Sequence, residues 1–460
     1  MSIKSVNPYT LKTLKTYNEL TDIQLEKAID SAHDAYNDWK KTSYEVREKL
    51  LNKIASTFRL KKKELAELIT NEMGKLIAQS EYEIDYCANI FEYYAKNGAD
   101  FLADKKITVD VGEAIITKAP IGVILAVEPW NFPFYQVARV VAPNLMIGNT
   151  VVLKHASNVP QCAQAFQDIF TEIDAPKGLY TNLFLSSKKI EKLIENPKIE
   201  GACLTGSEKA GASLAEFAGK NIKKSVLELG GNDPFIVLED ADIDRATDLA
   251  IKGRIVNNGQ SCVASKRFIV LEAVADEFLD KFTKKMEALQ LGDPMDATTQ
   301  LGPLSSQDAL DTILEQVNTT VKQGATLVTG GKQANLKGVF MQPTILTDLK
   351  PNMLAFQEEL FGPVASFYRV KNEEEAIKLA NATRFGLGSS IFSKDIERAK
   401  KLAREIDSGM VFINQPTKSH ETLPFGGSKR SGYGRELSEL GIDEFVNKKL
   451  IHCITETDKV

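Results

Sequence analysis

The sequence predicts an α/β protein built around two doubly wound, mainly parallel sheets. From Gly122 onward, short and almost fully apolar runs alternate with segments of helical period: "GVILAVEP", "TVVLKHA", "NLFLS", "GACLTGS" and "SVLELGG". Strands that are apolar on both faces and separated by helices are typical of a parallel sheet covered by helices on both sides. A second series of the same kind, from "KRFIVLEA" to "GMVFINQ", predicts a second domain. A chain of 460 residues, 43% of them apolar, is long enough to bury more than one core.

The first hundred residues are predicted to be helical after a short extended entry. Thr21 and Gln24 have the spacing of a capping box, and apolar residues follow at steps of three and four as far as Trp39. Further helical stretches are predicted from about residue 44 to 73 and from about 79 to 101.

The hydrophobic period changes to two in "KKITVDVGEAIITK", where apolar residues alternate on both sides of Gly112 and Glu113. This pattern predicts a β-hairpin within residues 106–118, with one face left over to pair with another strand or to be buried. Hairpins of this kind often serve as interfaces.

Polar residues come directly after the predicted strands of the first series. Asn131, Lys154, Glu228 and the segment Thr205-Gly206-Ser207 each follow a buried run. Because ligands of doubly wound sheets bind beyond the carboxyl ends of the strands, we expect these side chains to border a ligand site. The boundary with the second domain is expected between about residues 230 and 240.

Composition and charge argue against several classes of function. A net charge of −5, with 26% charged residues, gives no basic excess that would neutralise phosphates, so no nucleic-acid partner is expected. The residues after Met1 are polar and no run approaches 18 uncharged apolar residues, so we expect a cytoplasmic protein without a membrane span. Five scattered cysteines fit a reducing compartment, and the four histidines have no metal-site spacing, so no metal is expected.

Cys262 lies in the polar stretch "NNGQSCVASKR", which is typical of neither a helix interior nor a strand. A buried apolar residue is the ordinary role of a cysteine. The approach through Gly259, Gln260 and Ser261 is poorly suited to filling a core and favours a reactive thiol. A hydrolase of the Cys-His type would need a histidine as base, and none of the four has a suggestive setting, so another base is required.

Glu228 and Asn131 are the next candidates. Glu228 stands in the apolar strand end "LELGG", where burial would raise its pKa and suit it to act as a base near neutral pH. A glutamate turned to solvent is the alternative. Asn131 is held between two prolines in "EPWNFPF", where its amide can donate to a developing oxyanion. A turn-capping asparagine is the alternative.

The segment "LTGSEKAG" ends a predicted strand and opens a helix. Gly206 and Ser207 could therefore present backbone and hydroxyl donors to a diphosphate at the helix N-terminus. The segment lacks the third glycine of the dinucleotide-binding fingerprint, so the signal is weak by itself.

Together these motifs resemble the aldehyde dehydrogenase superfamily over nearly the whole chain, from "NPYT" to "FGGSKRSGYGRE" and "EFVNKK". The resemblance implies an aldehyde dehydrogenase-like fold in which Cys262 is the nucleophile, Glu228 the base and Asn131 the oxyanion donor. It implies that the thiolate adds to an aldehyde carbon and that the oxyanion then expels hydride onto a nicotinamide, which leaves a thioester. Glu228 would activate the water that releases the carboxylic acid.

The resemblance also implies cofactor contacts: Trp130 and Lys154 near the adenosine, Gly206 and Ser207 at the diphosphate, Glu359 and Phe361 at the nicotinamide ribose and ring, with Leu229 and Ser157 nearby. Members that prefer NAD often carry a glutamate three residues after the lysine, where it would repel a 2′-phosphate. This chain has Ser157 at that position. The resemblance therefore favours NADP, with NAD as a possible second cofactor.

For the substrate, the chain is most similar to succinate-semialdehyde dehydrogenases. Arg139 and Ser419 match an arginine and a serine at which those enzymes contact the distal carboxylate, and Phe425 is expected beside them. A guanidinium can clamp a carboxylate bidentately. The usual second arginine is replaced by Val256, and Arg254 is out of register. An interface salt bridge is the alternative role of Arg139.

The resemblance implies three parts: a dinucleotide-binding domain of residues 1–101 and 121–230, a catalytic domain of residues 231–432, and oligomerisation elements at 102–120 and 433–460. A homodimer or homotetramer is therefore expected. The main hypothesis is oxidation of succinate semialdehyde to succinate. Three alternatives remain open: a dehydrogenase for another small aldehyde, a catalytically silent cofactor-binding protein, and a thiol hydrolase.

Overall fold

The computed structural model describes residues 2–455, and most of its strands form two large, mainly parallel sheets. The strands are β1 (Ser2–Val6), β2 (Thr13–Asn18), β3 (Lys105–Ile107), β4 (Glu113–Pro120), β5 (Val123–Glu128), β6 (Thr150–His155), β7 (Tyr180–Asn182), β8 (Ile199–Thr205), β9 (Lys224–Glu228), β10 (Pro234–Val237), β11 (Arg267–Leu271), β12 (Thr326–Thr329), β13 (Thr344–Thr347), β14 (Val364–Val370), β15 (Phe385–Gly386), β16 (Ser390–Phe392), β17 (Phe412–Ile413), β18 (Ser428–Lys429), β19 (Gly432–Tyr433) and β20 (Val446–Cys453). The predicted α/β class is confirmed.

Helices cover the sheets. They are α1 (Asp22–Trp39), α2 (Tyr44–Leu60), α3 (Lys62–Met73), α4 (Ile77–Phe101), α5 (Tyr135–Ile147), α6 (Pro160–Glu172), α7 (Ile190–Glu195), α8 (Glu208–Lys220), α9 (Ile243–Ile255), α10 (Glu272–Glu287), α11 (Gln307–Lys322), α12 (Leu354–Gln357), α13 (Glu373–Asn381), α14 (Ile396–Ala403) and α15 (Ser438–Ile442). The predicted capping box at Thr21 is present. The stretch predicted from 44 to 73 is divided at Lys61, whose ψ of 12° interrupts the helix. No helix among residues 2–455 combines the length and the hydropathy that a membrane span requires.

The first large sheet has the strand order β19-β9-β8-β5-β6-β7. Five of its strands are parallel, and β19 is an antiparallel edge. Because the register pairs Thr205 with Glu228 and Glu128 with His155, the carboxyl ends of these strands lie at one edge of the sheet. Strand β7 ends at Asn182, so most of "NLFLS" lies beyond the strand that the sequence predicted there.

The second large sheet has the order β12-β13-β14-β11-β10-β16-β17. The sequence patterns did not predict β10, a four-residue strand that begins with a proline. Its neighbours β11 and β16 are both parallel to it, which places β10 inside the sheet. The predicted hairpin is present as β3 and β4, and β20 adds to it as a third antiparallel strand.

Helix α5 follows the loop of Asn131, and buried charges fix both of its ends. At its N-terminus, Glu83 Oε1 accepts hydrogen bonds from the backbone N–H groups of Phe134 (2.9 Å) and Tyr135 (3.1 Å). At its C-terminus, the guanidinium of Arg47 donates to carbonyl groups at the ends of α5 and α1: Met146 (3.1 Å), Ile147 (2.7 Å), Trp39 (3.2 Å) and Lys40 (3.0 Å). One cation thus satisfies carbonyls that a helix end leaves without partners.

Replacing Arg47 tests this arrangement. Arg47→Met should lower the free energy of unfolding by about 3 kcal/mol, because it removes charge-assisted hydrogen bonds and leaves buried carbonyls unpaired. The measurement is the midpoint of thermal unfolding by circular dichroism. Lys63→Met, at an exposed position of α3, is the matched control and should leave the midpoint unchanged. Equal midpoints for both variants would contradict the assignment.

Candidate active site

A cavity of about 420 Å³ opens between the two large sheets, at the carboxyl ends of the first sheet's strands. Most of the predicted catalytic and cofactor residues line it. Its walls are formed by Pro129, Trp130, Asn131, Gln136, Thr205, Gly206, Ser207, Glu228, Leu229, Gly230, Cys262, Glu359 and Phe361. Residues that are far apart in the sequence therefore meet at one place.

The segment ahead of Cys262 is a tight turn that leaves α9. Asn257 and Asn258 adopt the left-handed conformation, with φ of 51° and 57°, which asparagine tolerates better than most residues. Gly259 also has a positive φ, and a Cβ there would lie 2.3 Å from the carbonyl carbon of Gly362. Only glycine fits this close approach. The turn brings Cys262 to the cavity.

Side-chain amides fix this turn to other parts of the chain. The backbone N–H of Asn257 donates to Gln79 Oε1 (2.8 Å), and Asn258 Nδ2 donates to the Gly74 carbonyl (2.8 Å). Asn257 Nδ2 also donates to the carbonyl of Asn131 (2.8 Å). The cysteine turn and the asparagine loop are thus tied directly to each other.

Cys262 is half-buried at the cavity wall. Burial raises the pKa of its thiol to about 12, and the positive charge of Lys266 is the largest influence in the opposite direction. The ammonium group of Lys266 donates to the Cys262 carbonyl at 2.7 Å. In this structure the thiol is therefore protonated at neutral pH.

Asn131 is 4% exposed, and its side-chain amide is oriented by two neighbours. Nδ2 donates to the carbonyl of Gln260 (3.0 Å), and Oδ1 accepts from Gln136 Nε2 (3.1 Å). An amide nitrogen carries two hydrogens. One is used by Gln260, so the second can serve a group in the cavity.

Glu228 is the last residue of β9 and is only 2% exposed. Neither carboxyl oxygen has a hydrogen-bond partner among the described residues. Burial raises the pKa of this carboxyl well above its usual range, and repulsion from Glu436 raises it further, while Arg139 opposes both effects. The predicted burial and its effect on the pKa are both present.

Most of the predicted cofactor residues on the cavity wall follow the carboxyl ends of β5, β8 and β9. Glu359 and Phe361 belong to one loop. Trp130 follows β5 and meets the ring of Phe361 edge to face, with 5.8 Å between the ring centres. Ser207 follows β8 and caps α8, because its hydroxyl accepts from the backbone N–H of Ala210 (3.3 Å). Leu229 follows β9. The N-terminus of α8 and the Trp130–Phe361 pair therefore border the same cavity.

Glu359 reaches across the cavity toward the cysteine turn. Its Oε1 accepts from the backbone N–H of Gly231 (3.2 Å) and forms a salt bridge with Lys266 (3.1 Å). A Cβ at Gly230 would lie 2.3 Å from Glu359 Oε2, so the glycine leaves room for this carboxylate.

Two predicted cofactor residues lie outside the cavity wall. Lys154 is near the carboxyl end of β6, and burial lowers the pKa of its ammonium group. Ser157 is exposed two residues beyond that strand. Both residues lie at the carboxyl end of β6, the strand next to β5. A ligand longer than the cavity would extend in this direction.

The structure brings the three predicted substrate residues together around Tyr135. Arg139 Nη1 donates to the Tyr135 hydroxyl (3.2 Å), which in turn donates to Ser419 Oγ (2.8 Å). The guanidinium carbon of Arg139 lies 4.6 Å from the centre of the Phe425 ring. The cluster is close to the cavity but does not form its wall.

The expectation that Arg139 clamps a substrate carboxylate directly disagrees with this structure. Arg139 is buried and forms a salt bridge with Glu436, while its Nη2 donates to Thr205 Oγ1 (3.1 Å). All three guanidinium nitrogens therefore have protein partners. An interface salt bridge was the alternative role of Arg139. The observed contact is closer to that alternative, but it joins two residues of one chain.

Arg254 does not replace the missing second arginine. It is completely buried, and its guanidinium donates to the carbonyls of Ser265 (3.0 Å) and Gly259 (2.7 Å). Burial lowers its pKa to about 10. Arg254 holds the two ends of the cysteine turn, and Val256 offers no charge.

Two residues of the site escaped the sequence analysis: Gln136 and Lys266. Gln136 stands five residues after Asn131 on the first turn of a helix, a spacing that could have indicated its contact. Lys266 is a charged residue at the start of the buried strand "KRFIVLEA", and this unusual position could have indicated a role in the site. Thr205, which was expected at the carboxyl end of its strand, lies on the cavity wall. Among residues 2–455, no three His, Cys, Asp or Glu side chains are grouped as metal ligands.

Comparison with known proteins decides the family. The family model described as "Aldehyde dehydrogenase family" matches residues 1–451. This chain belongs to the aldehyde dehydrogenase family. The predicted superfamily resemblance is thereby confirmed, and the chain is an NAD(P)-dependent type of oxidoreductase that acts on aldehydes.

Several similar dehydrogenases have been characterised or solved. Succinate-semialdehyde dehydrogenase [NADP(+)] of Deinococcus radiodurans is 48% identical over 455 residues, 99% of this chain and 95% of its own. A probable succinate-semialdehyde dehydrogenase [NADP(+)] of Synechocystis is 46% identical over 98% of this chain and 99% of its own. The crystal structure of succinic semialdehyde dehydrogenase from Streptococcus pyogenes in complex with NADP+ matches with a TM-score of 0.97 and 45% identity, covering 98% of this chain and 100% of that one. The predicted aldehyde dehydrogenase-like fold is confirmed.

Alkylation tests the state of the thiol in this aldehyde dehydrogenase. Since burial raises the pKa of Cys262 to about 12, the thiolate fraction should increase about tenfold for each pH unit between pH 7 and 10. Iodoacetamide labelling of the Cys262 peptide, followed by mass spectrometry in the cofactor-free protein, should show that increase without a plateau. Labelling of the exposed Cys453 thiol in the same samples is the internal control for the amount of active reagent. A plateau for Cys262 below pH 8 would contradict the assigned burial.

Proposed function

We propose that this aldehyde dehydrogenase oxidises succinate semialdehyde to succinate and prefers NADP as oxidant, with NAD as a possible second cofactor. The observation that carries the proposal is the meeting of Cys262, Asn131 and Glu228 on one cavity wall beside the cofactor residues. Identities of 45–48% over nearly the full length to succinate-semialdehyde dehydrogenases [NADP(+)] support the choice of substrate and cofactor.

Cys262 is the nucleophile in this proposal. Its thiol gives its proton to solvent, and the sulfur then adds to the aldehyde carbon, which forms the anion of a thiohemiacetal with the negative charge on the aldehyde oxygen. The second hydrogen of Asn131 Nδ2 and the backbone N–H of Cys262 donate to that oxygen. Because Gln260 and Gln136 already orient the Asn131 amide, little reorganisation is needed when the charge develops.

The residues around the cavity fit a nicotinamide dinucleotide. When bound, the cofactor would accept the hydride that leaves the thiohemiacetal carbon. Phe361 and Trp130 offer apolar ring surface, Glu359 offers a carboxylate to ribose hydroxyls, and Gly206 and Ser207 lie at the N-terminus of α8 for the diphosphate. Leu229 adds an apolar side chain to the same cavity wall.

The preference for NADP is supported at the adenosine end. Ser157 brings no negative charge to the exposed position three residues after Lys154. A 2′-phosphate there would meet a hydroxyl and an ammonium group, and not a carboxylate that repels it.

Glu228 is the general base for the second half of the reaction. Its pKa, which is raised by burial, makes the carboxylate a stronger base once it is ionised. It takes a proton from the water that attacks the thioester, and Cys262 leaves as thiolate. Since the folded-state pKa is raised, the ionised base becomes available only as pH increases.

Specificity for a distal carboxylate is proposed to come from the cluster around Tyr135. Tyr135 donates its hydrogen to Ser419 Oγ, so the Ser419 hydroxyl hydrogen is free to donate to the substrate. Arg139 acts through Tyr135, to which it donates, and is a positioning residue and not a direct clamp. Phe425 covers its guanidinium.

We also propose the three-part division expected from the sequence, with boundaries at 101, 120, 230 and 432. Strands β5–β9 fall within residues 121–230 and β10–β17 within 231–432, which supports it. The three-stranded sheet of β3, β4 and β20 exposes Ile107, Leu450 and Ile451, which supports a role in a homodimer or homotetramer. Five unpaired cysteines support a cytoplasmic location.

A substrate panel tests the proposed function. Steady-state production of NADPH and NADH is measured with succinate semialdehyde and with butanal, an uncharged aldehyde of the same length. We expect kcat/KM to be highest with succinate semialdehyde and NADP. Ser419→Ala should raise KM for succinate semialdehyde about tenfold, because a hydrogen bond to a charged group is lost, and leave that for butanal unchanged.

A higher kcat/KM for butanal would assign the enzyme to another aldehyde. Absence of turnover with every aldehyde would favour a catalytically silent cofactor-binding protein, and ester cleavage without a nicotinamide cofactor would favour a thiol hydrolase.

A further inference from the structure

Lys266 is a buried cation beside the proposed nucleophile that the reaction as described does not use. Its side chain is 1% exposed. The ammonium nitrogen donates to the carbonyls of Ser261 (2.9 Å), Cys262 (2.7 Å) and Ala264 (3.3 Å) and lies 3.1 Å from Glu359 Oε1. It thus sits inside the turn that carries Cys262.

Holding a turn does not by itself require a charge. Removing an ammonium group from water is costly, and a neutral donor would bind the same carbonyls at lower cost. A positive charge does one further thing that a neutral donor cannot do: it stabilises a nearby anion. The anion that can form at this place is the thiolate of Cys262.

Four charged groups act on the Cys262 thiol. Lys266 and Arg139 favour its anion, with Lys266 the stronger, while Glu359 and Asp233 oppose it. Arg139 is already paired with Glu436. The partner of Lys266 is Glu359, a partly exposed side chain on the cavity wall. The balance between the thiol and the thiolate form of Cys262 therefore depends mainly on the Lys266–Glu359 salt bridge.

We propose that Lys266 and Glu359 form a charge pair that sets the ionisation of Cys262: the ammonium group favours the thiolate, and the carboxylate restrains it. Lys266 is a positioning residue in this account, since it acts through the nucleophile. The inference rests on the proposed function, in which Cys262 attacks the substrate.

A purely structural role makes a different prediction. If the salt bridge only held the turn in place, loss of either partner would disturb Cys262 in the same way. If the charges act on the thiol, loss of the cation and loss of the carboxylate must have opposite effects. The sign of the two effects therefore separates the explanations.

The test is the rate of Cys262 alkylation by iodoacetamide between pH 7 and 10, in cofactor-free protein that carries Cys453→Ser. Lys266→Met should slow alkylation about tenfold at a given pH, and Glu359→Gln should accelerate it by a similar factor, through opposite shifts of the pH profile. Lys266→Arg keeps the charge and should restore most of the rate. Glu358→Gln, at the neighbouring glutamate that pairs with Arg384, is the matched control and should match the parent protein.

Slower alkylation in Glu359→Gln, or shifts of both profiles in the same direction, would overturn the proposal. If Lys266→Met does not fold, the Glu359→Gln profile alone still decides, because Lys266 is intact there. Alkylation needs neither aldehyde nor cofactor. Failure of the proposed function would instead appear as absent aldehyde oxidation in the unmodified enzyme.

Discussion

The burial of Cys262 and Glu228 in one cleft is the constraint on which the rest of the site depends. Burial raises the pKa of the thiol and of the carboxyl, so both groups resist the ionised form in which each would react. Fixed charges nearby favour the ionised forms: Lys266 and Arg139 at the thiol, and Arg139 at the carboxyl group. A site that excludes water also strengthens each of these interactions, because the effective dielectric constant is low. In the proposed reaction, the same exclusion would protect the thioester from hydrolysis until Glu228 is ionised.

Charges placed in such a site need partners, and the partners connect distant parts of the fold. Three buried cations each meet a carboxylate from another element: Lys75 with Glu83, Arg139 with Glu436, and Lys266 with Glu359. Buried ion pairs often contribute little net stability, since desolvation offsets the attraction. Here they fix α5, the asparagine loop and the cysteine turn relative to one another. Their contribution is to hold these elements in place, because a reaction between groups from two sheets requires a fixed geometry.

Motifs at strand ends were predictable from the sequence, and partners across the fold were not. Parallel strands end at one edge, so Glu228, Ser207 and Trp130 could be expected together, and the structure places them on one wall. No glycine or proline near Lys61 indicates in the sequence that the helix is interrupted there. The pairing of Arg139 with Glu436 has no local signal either, because nothing in the spacing of the two residues brings them together. Sequence patterns report the neighbours of a residue along an element; a salt bridge between elements depends on how those elements pack.

Stopping the proposed reaction between its two halves tests it most directly. Glu228→Gln keeps the shape of the side chain but removes the base, so Cys262 should be acylated and remain so. After mixing with succinate semialdehyde and NADP, we expect one equivalent of NADPH per site in a burst and one succinyl group on the Cys262 peptide by mass spectrometry. An unmodified Cys262, an acyl group on another residue, or turnover as fast as that of the parent enzyme would contradict it.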